Sequence, residues 1–81
     1  MVEVCVVLLN WNSAQDTLEC LDSLKAQTGV DLECVVVDNC SQDDSVKQIR
    51  ARFPQVFVIE NDRNLGFPAG NNVGIRFALE L

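Results

Sequence analysis

The sequence predicts an α/β domain, a parallel sheet flanked by helices. Apolar, valine-rich runs at 2–9, 32–37 and 56–59 alternate with stretches of helical periodicity. The connections between them are short, as in parallel strands joined by right-handed crossovers. Each apolar run also leads into a polar cluster, and in open parallel sheets ligands bind outside the carboxyl ends of the strands.

Val2 to Leu9 is almost continuously apolar, the pattern of a strand covered on both faces. Asn10-Trp11-Asn12 ends it. Ser13, with Asp16 three residues on, has the form of a capping box. Ala14, Leu18, Leu21 and Leu24 follow at helical spacing, and Gly29 closes that helix. Leu32 to Val37 is the second strand and closes on Asp38-Asn39. Ser41 or Asp43 can cap a second helix whose inward stripe is Val46, Ile49 and Phe53, and Pro54 stops it. Val56 to Ile59 is a third, short strand. A last helix starts at Pro68 or Ala69, with Ile75, Ala78 and Leu79 expected inward. The order is β-α-β-α-β-α.

With 81 residues the chain forms one small domain at most. A net charge of −6 excludes the basic surface that nucleic-acid phosphates require. No apolar run reaches the length of a membrane span, about 18 residues. The start Met1-Val2-Glu3-Val4 lacks the basic region of a signal peptide, so a cytoplasmic location is expected. Cys5, Cys20, Cys34 and Cys40 form no C-x-x-C pair, and histidine is absent, which argues against a zinc site. Cys5, Cys20 and Cys34 are expected to act as small buried hydrophobes in a reduced protein.

The segment Asn64-Leu65-Gly66-Phe67-Pro68-Ala69-Gly70-Asn71-Asn72-Val73-Gly74 holds three of the four glycines. Glycine admits tight turns and close approach, and asparagine supplies both donors and acceptors. Such a loop opening a helix suits a polar ligand at a helix start. Asn10, Asn12 and Ser13 serve equally well as turn and cap residues, and Asp38 as a turn cap. A dinucleotide site needs G-x-G-x-x-G after the first strand, where this chain reads Asn10-Trp11-Asn12-Ser13. A phosphate-loop NTPase fails for want of G-x-x-x-x-G-K-[ST].

Three stretches in order resemble the inverting family 2 glycosyltransferases of GT-A fold, especially their rhamnosyltransferase-like branch. They are Val6 to Asn12, Val35 to Ser45 and Asn64 to Gly74. The resemblance implies a three-layer, Rossmann-like nucleotide-sugar transferase fold with strand order 3-2-1. It implies that Asn10, Trp11 and Asn12 line the base pocket and that Asp38 accepts a hydrogen bond from the base. Asn39 and Ser41 would shape that loop. Asn64, Gly66 and Gly70 would form the loop beside nucleoside and diphosphate, with Asn71 and Asn72 next to it. Many members carry Ala-Arg-Asn where this chain has Gly70-Asn71-Asn72, so no cationic diphosphate contact carries over.

The resemblance places a metal-binding D-x-D after a fourth strand and a general base later still. Neither falls within residues 1–81, which are expected to be the N-terminal, nucleotide-sugar-binding part of a larger domain. Magnesium or manganese is expected only in the full-length enzyme, and this chain alone is not expected to catalyse transfer. The full-length protein would act on a saccharide or lipid acceptor in cell-wall polysaccharide synthesis, at the inner membrane surface. The alternative is a non-catalytic oligomerising or nucleotide-binding module of the same fold. Without a fourth strand the first becomes an apolar edge, so self-association through it is expected.

Overall fold

The structure is a computed structural model that describes residues 4–26 and 32–81. Its elements are β1 (Val4–Asn10), α1 (Ala14–Lys25), β2 (Leu32–Asp38), α2 (Ser45–Arg52), β3 (Phe57–Glu60) and α3 (Phe67–Leu79). The expected positions Val2 and Gly29 lie outside the described residues. The three strands are parallel, with β2 between β1 and β3. The register pairs Val4 with Leu32 through to Asn10 with Asp38, so β1 and β2 end level.

Strand alternation sorts the sheet into two faces. Val6 and Leu8 of β1, Cys34 and Val36 of β2, and Val58 of β3 pack with Leu18, Leu21 and Leu24 of α1, with Ile49 of α2 and with Phe53 at its C-terminal end. Ile49 is fully buried at its centre, worth about 1.5–3 kcal/mol for a side chain of this size. On the opposite face α3 lies across β1 and β2, and Phe77 meets Phe57 edge to face at 5.1 Å. The result is the predicted three-layer α/β arrangement.

The helix starts differ from expectation. Ser13 stands at the N-cap of α1 without a side-chain cap, because its hydroxyl turns back to donate to the Trp11 carbonyl at 2.9 Å. At α2 the N-cap is Asp44, while the Asp43 carboxylate accepts from the Ser45 amide and hydroxyl. The Ser45 hydroxyl holds the Asp43 carboxyl below its usual pKa. Ser41 does not cap α2, since its hydroxyl is drawn to Asp38.

The inward face of α3 is a second correction. Ile75 and Leu79 are 46% and 83% exposed, whereas Gly70 and Gly74 are buried. A Cβ on Gly74 would come within 2.7 Å of Val37 Cγ2, and one on Gly70 within 2.7 Å of Leu9 Cδ1. The helix backbone itself sits on the sheet, and that approach rotates Ile75 and Leu79 outward. Among the cysteines only Cys34 is buried, and burial, with Cys20, Cys5 and Glu33 nearby, pushes its thiol up to about 11. Cys5 is half-buried and its thiol is raised too, by burial and by Glu33. Cys20, expected inside, lies exposed on α1 because the buried stripe there is Thr17, Leu18 and Leu21.

Candidate functional site

The level ends of β1 and β2 bring Asn10 and Asp38 side by side. Both are buried, Asn10 completely. Asn10 Nδ2 donates to Asp38 Oδ1 at 2.7 Å and to Ser41 Oγ at 3.2 Å. Ser41 Oγ donates to the same Asp38 Oδ1 at 2.6 Å, and Ser41 N donates to Asp38 Oδ2 at 2.8 Å. Asp38 Oδ1 therefore takes two donors and Oδ2 one, which leaves acceptor capacity on Oδ2. From α1, Thr17 Oγ1 donates to Asn10 Oδ1 at 2.6 Å. A buried amide and carboxylate are stable only with such partners, and no buried side-chain polar atom among the described residues lacks one.

Asn12 adopts φ 49°, a left-handed conformation that asparagine tolerates better than most residues. There its side-chain oxygen accepts from Gln42 N at 2.7 Å and from Asp43 N at 3.3 Å. Its own amide donates to Ser41 Oγ at 2.9 Å. The loop after β1 is thereby stitched to the loop after β2.

Asn39, also buried, does the same for the glycine segment. Its Nδ2 donates to the Gly66 carbonyl at 3.1 Å, and its Oδ1 accepts from Asn61 Nδ2 at 2.9 Å and Leu65 N at 3.4 Å. Asn64 Oδ1 accepts from Gly66 N at 2.7 Å. Gly66 then starts α3 at φ 81°, where a side chain would be strained.

Between these loops lies an open cleft of about 340 Å³ lined by Leu9, Trp11, Ser13, Asn39, Asn64, Gly66 and Phe67. Trp11 and Phe67 are 53% and 70% exposed, so two aromatic faces border a cleft whose other walls are Leu9, Ser13, two side-chain amides and a glycine. Of the predicted site residues, Trp11, Asn39, Asn64 and Gly66 meet here. Asn10, Asp38 and Ser41 form the buried network beside it, and Asn12 braces the loop. Gly70 is not in the loop but in α3, pressed against Leu9 and Asn39. Asn71 and Asn72 follow it along the helix and do not line the cleft. Sequence reasoning missed Phe67 and Thr17. A threonine seven residues after Asn10, one helical turn into α1, was the available signal for the second.

Residues 5–80 match the family model described as glycosyl transferase family 2. The chain belongs to that family. The succinoglycan biosynthesis protein ExoO of Rhizobium meliloti is 39% identical over 74 residues, 90% of this chain and 21% of that protein. An uncharacterized glycosyltransferase of Haemophilus influenzae is 34% identical over 71 residues, covering 88% of this chain and 24% of the relative. The mannosyltransferase PcManGT from Pyrobaculum calidifontis, solved with GDP-Man and Mn²⁺, superposes with a TM-score of 0.78 at 27% identity. The match covers 91% of this chain and 24% of the mannosyltransferase. The family 2 chain described here thus spans about a fifth to a quarter of these relatives, and its β-α-β-α-β-α unit is part of a GT-A domain. No helix among its described residues is long and apolar enough to cross a membrane.

Proposed function

We propose that this chain binds the nucleoside-diphosphate sugar of an inverting family 2 glycosyltransferase. The observation that carries the reading is the convergence of three strand-end loops on one cleft, with the buried Asn10–Asp38–Ser41 network at its side. Trp11 and Phe67 offer stacking faces for a base, which are worth about 1–3 kcal/mol per base in single-stranded nucleic-acid sites. Asp38 Oδ2 accepts a base N–H, and the Asn64–Gly66 turn lies beside the sugar and diphosphate. The GDP-Man held by the related mannosyltransferase supports a donor of this class. The resemblance to the rhamnosyltransferase-like branch makes dTDP-rhamnose one candidate donor. The name of the succinoglycan relative supports a polysaccharide or its lipid-linked precursor as acceptor, handled by the whole protein at a membrane surface.

No group of three His, Cys, Asp or Glu among the described residues fits a metal ion. The manganese found with the related mannosyltransferase therefore has no ligand set among the described residues. What these residues do is bind and orient the nucleotide. In the complete reaction an acceptor oxygen displaces the nucleoside diphosphate at the anomeric carbon with inversion, deprotonated by a base outside these 81 residues.

The test is a titration of the ¹⁵N-labelled chain with UDP, dTDP, GDP and NAD, each with and without manganese. Shifts at Trp11, Asn39 and Gly66 are expected with a nucleoside diphosphate and not with NAD. A folded sample that responds to none of them overturns the reading.

The same cleft-bearing unit is proposed to pair with a second copy through β1. That strand, Val4–Asn10, carries no charge and, among the described residues, is bonded to β2 on one side only, and edge strands are normally protected by charge or proline. Pairing of β1 with its counterpart would continue the sheet through two molecules. Light scattering after size exclusion is expected to give the mass of a dimer at high concentration, and Val4→Lys, at the exposed start of β1, the mass of a monomer. A wild-type monomer at every concentration removes this element and leaves the donor site intact.

A further inference from the structure

Resting on the donor-binding reading, we infer that Thr17 is a positioning residue that tunes base selectivity through Asn10 and Asp38. The side-chain amide of Asn10 has two ends and could be seated either way round. The Asp38 carboxylate, which only accepts, fixes Nδ2 on its own side, and Thr17 Oγ1, 2.6 Å from Asn10 Oδ1, donates to the oxygen on the α1 side and anchors it there. Asn10 Nδ2 is then aimed at Asp38 Oδ1, 2.7 Å away, and at Ser41 Oγ. With Oδ1 of Asp38 occupied by Asn10 and Ser41, Oδ2 is the oxygen left with a single donor, the Ser41 amide. The plane of the carboxylate, and so the direction in which Oδ2 can accept a base N–H, is set by this chain of bonds.

Thr17 is itself buried, on the first turns of α1, and does not line the cleft. It acts through Asn10 and would touch no ligand. Valine has nearly the shape of threonine but no hydroxyl, so Thr17→Val leaves Asn10 Oδ1 buried without its donor. Asn10 then keeps its bond to Asp38 but loses the anchor at its other end, so the Asp38 carboxylate loses a fixed neighbour. Thr17→Ser restores the donor.

The experiment compares wild type, Thr17→Val and Thr17→Ser by calorimetric titration with UDP, dTDP and GDP, and follows the Asn10 side-chain amide by NMR. The ratio of best to worst affinity is expected to fall about two- to tenfold in Thr17→Val, the effect of one hydrogen bond, and to recover in Thr17→Ser. The Asn10 amide protons are expected to shift and exchange faster in Thr17→Val only. Thr17→Ala takes the place of Thr17→Val if the latter does not fold. Equal selectivity in wild type and Thr17→Val overturns the inference while the donor-binding reading stands. Failure of wild type to bind any nucleotide removes that reading and the inference with it.

Discussion

Asp38→Ala is expected to weaken nucleotide binding by about ten- to hundredfold, the fold-change of one hydrogen bond to a charged group. The same substitution strips partners from the Asn10 side-chain amide and the Ser41 backbone amide, both of which donate to Asp38. A buried donor left unsatisfied costs about 1–3 kcal/mol, so urea denaturation should show a clear loss of stability as well. The two effects separate with Ser41→Ala. That change removes the hydroxyl that donates to Asp38 Oδ1 and accepts from Asn12 N, but keeps the carboxylate and the Ser41 amide bond to Oδ2. It should cost stability by about 1 kcal/mol with only a small loss of affinity. A folded Asp38→Ala chain with wild-type affinity, measured by calorimetry, would remove Asp38 from the base contact.

Asp38 also marks how much of the site could be read from the sequence. Its place at the end of a valine-rich run put it at the ligand edge, and the same logic placed Asn10 and the Asn64–Gly66 segment beside it. Parallel register then brought Asn10 and Asp38 level. What the pattern did not disclose is how the polar atoms are used. Asn12, read as a pocket residue, and Asn39, read as shaping its loop, spend their side-chain oxygens on amides of neighbouring loops. These are local choices among several possible partners, and one-dimensional spacing does not rank them. Thr17 escaped notice for the same reason: on a helix stripe of Leu18 and Leu21 it looks like a filler, and only the geometry shows its hydroxyl directed at Asn10. The strand and helix order was legible because burial on two faces of a sheet leaves a strong alternation of apolar runs. The face of α3 was not, because hydrophobic periodicity scores Ile75 and Leu79 and gives glycine no weight.

Gly74→Ala tests that last point and is expected to destabilise the chain, against the usual sign for such a change. In an exposed helix interior, alanine is more favourable than glycine by about 1 kcal/mol. Here the new methyl would sit 2.7 Å from Val37 Cγ2 and closer still to Val7. Val7 and Val37 lie on adjacent paired strands, and Val37 is wholly buried. Neither is the free end of a long flexible side chain. The clash is relieved only by lifting α3 from the sheet, which also loosens the Phe57–Phe77 contact. Overpacking of this kind costs about 1–3 kcal/mol, which outweighs the gain in helix propensity. The net loss should lower the melting temperature by several degrees, since a domain of this size shifts about 4–8 °C per kcal/mol. Asn72→Ala, on the exposed side of the same helix, supplies the control. It brings the propensity gain without the clash and should raise the melting temperature slightly. Higher stability in Gly74→Ala would mean that α3 stands off the sheet, with room for a side chain between them. Gly70 packs on Leu9 and Asn39 in the same way one turn earlier. The seating of α3 and the position of the Gly66 turn at the cleft are therefore one structural fact, and loss of helix packing in Gly74→Ala should also weaken nucleotide binding.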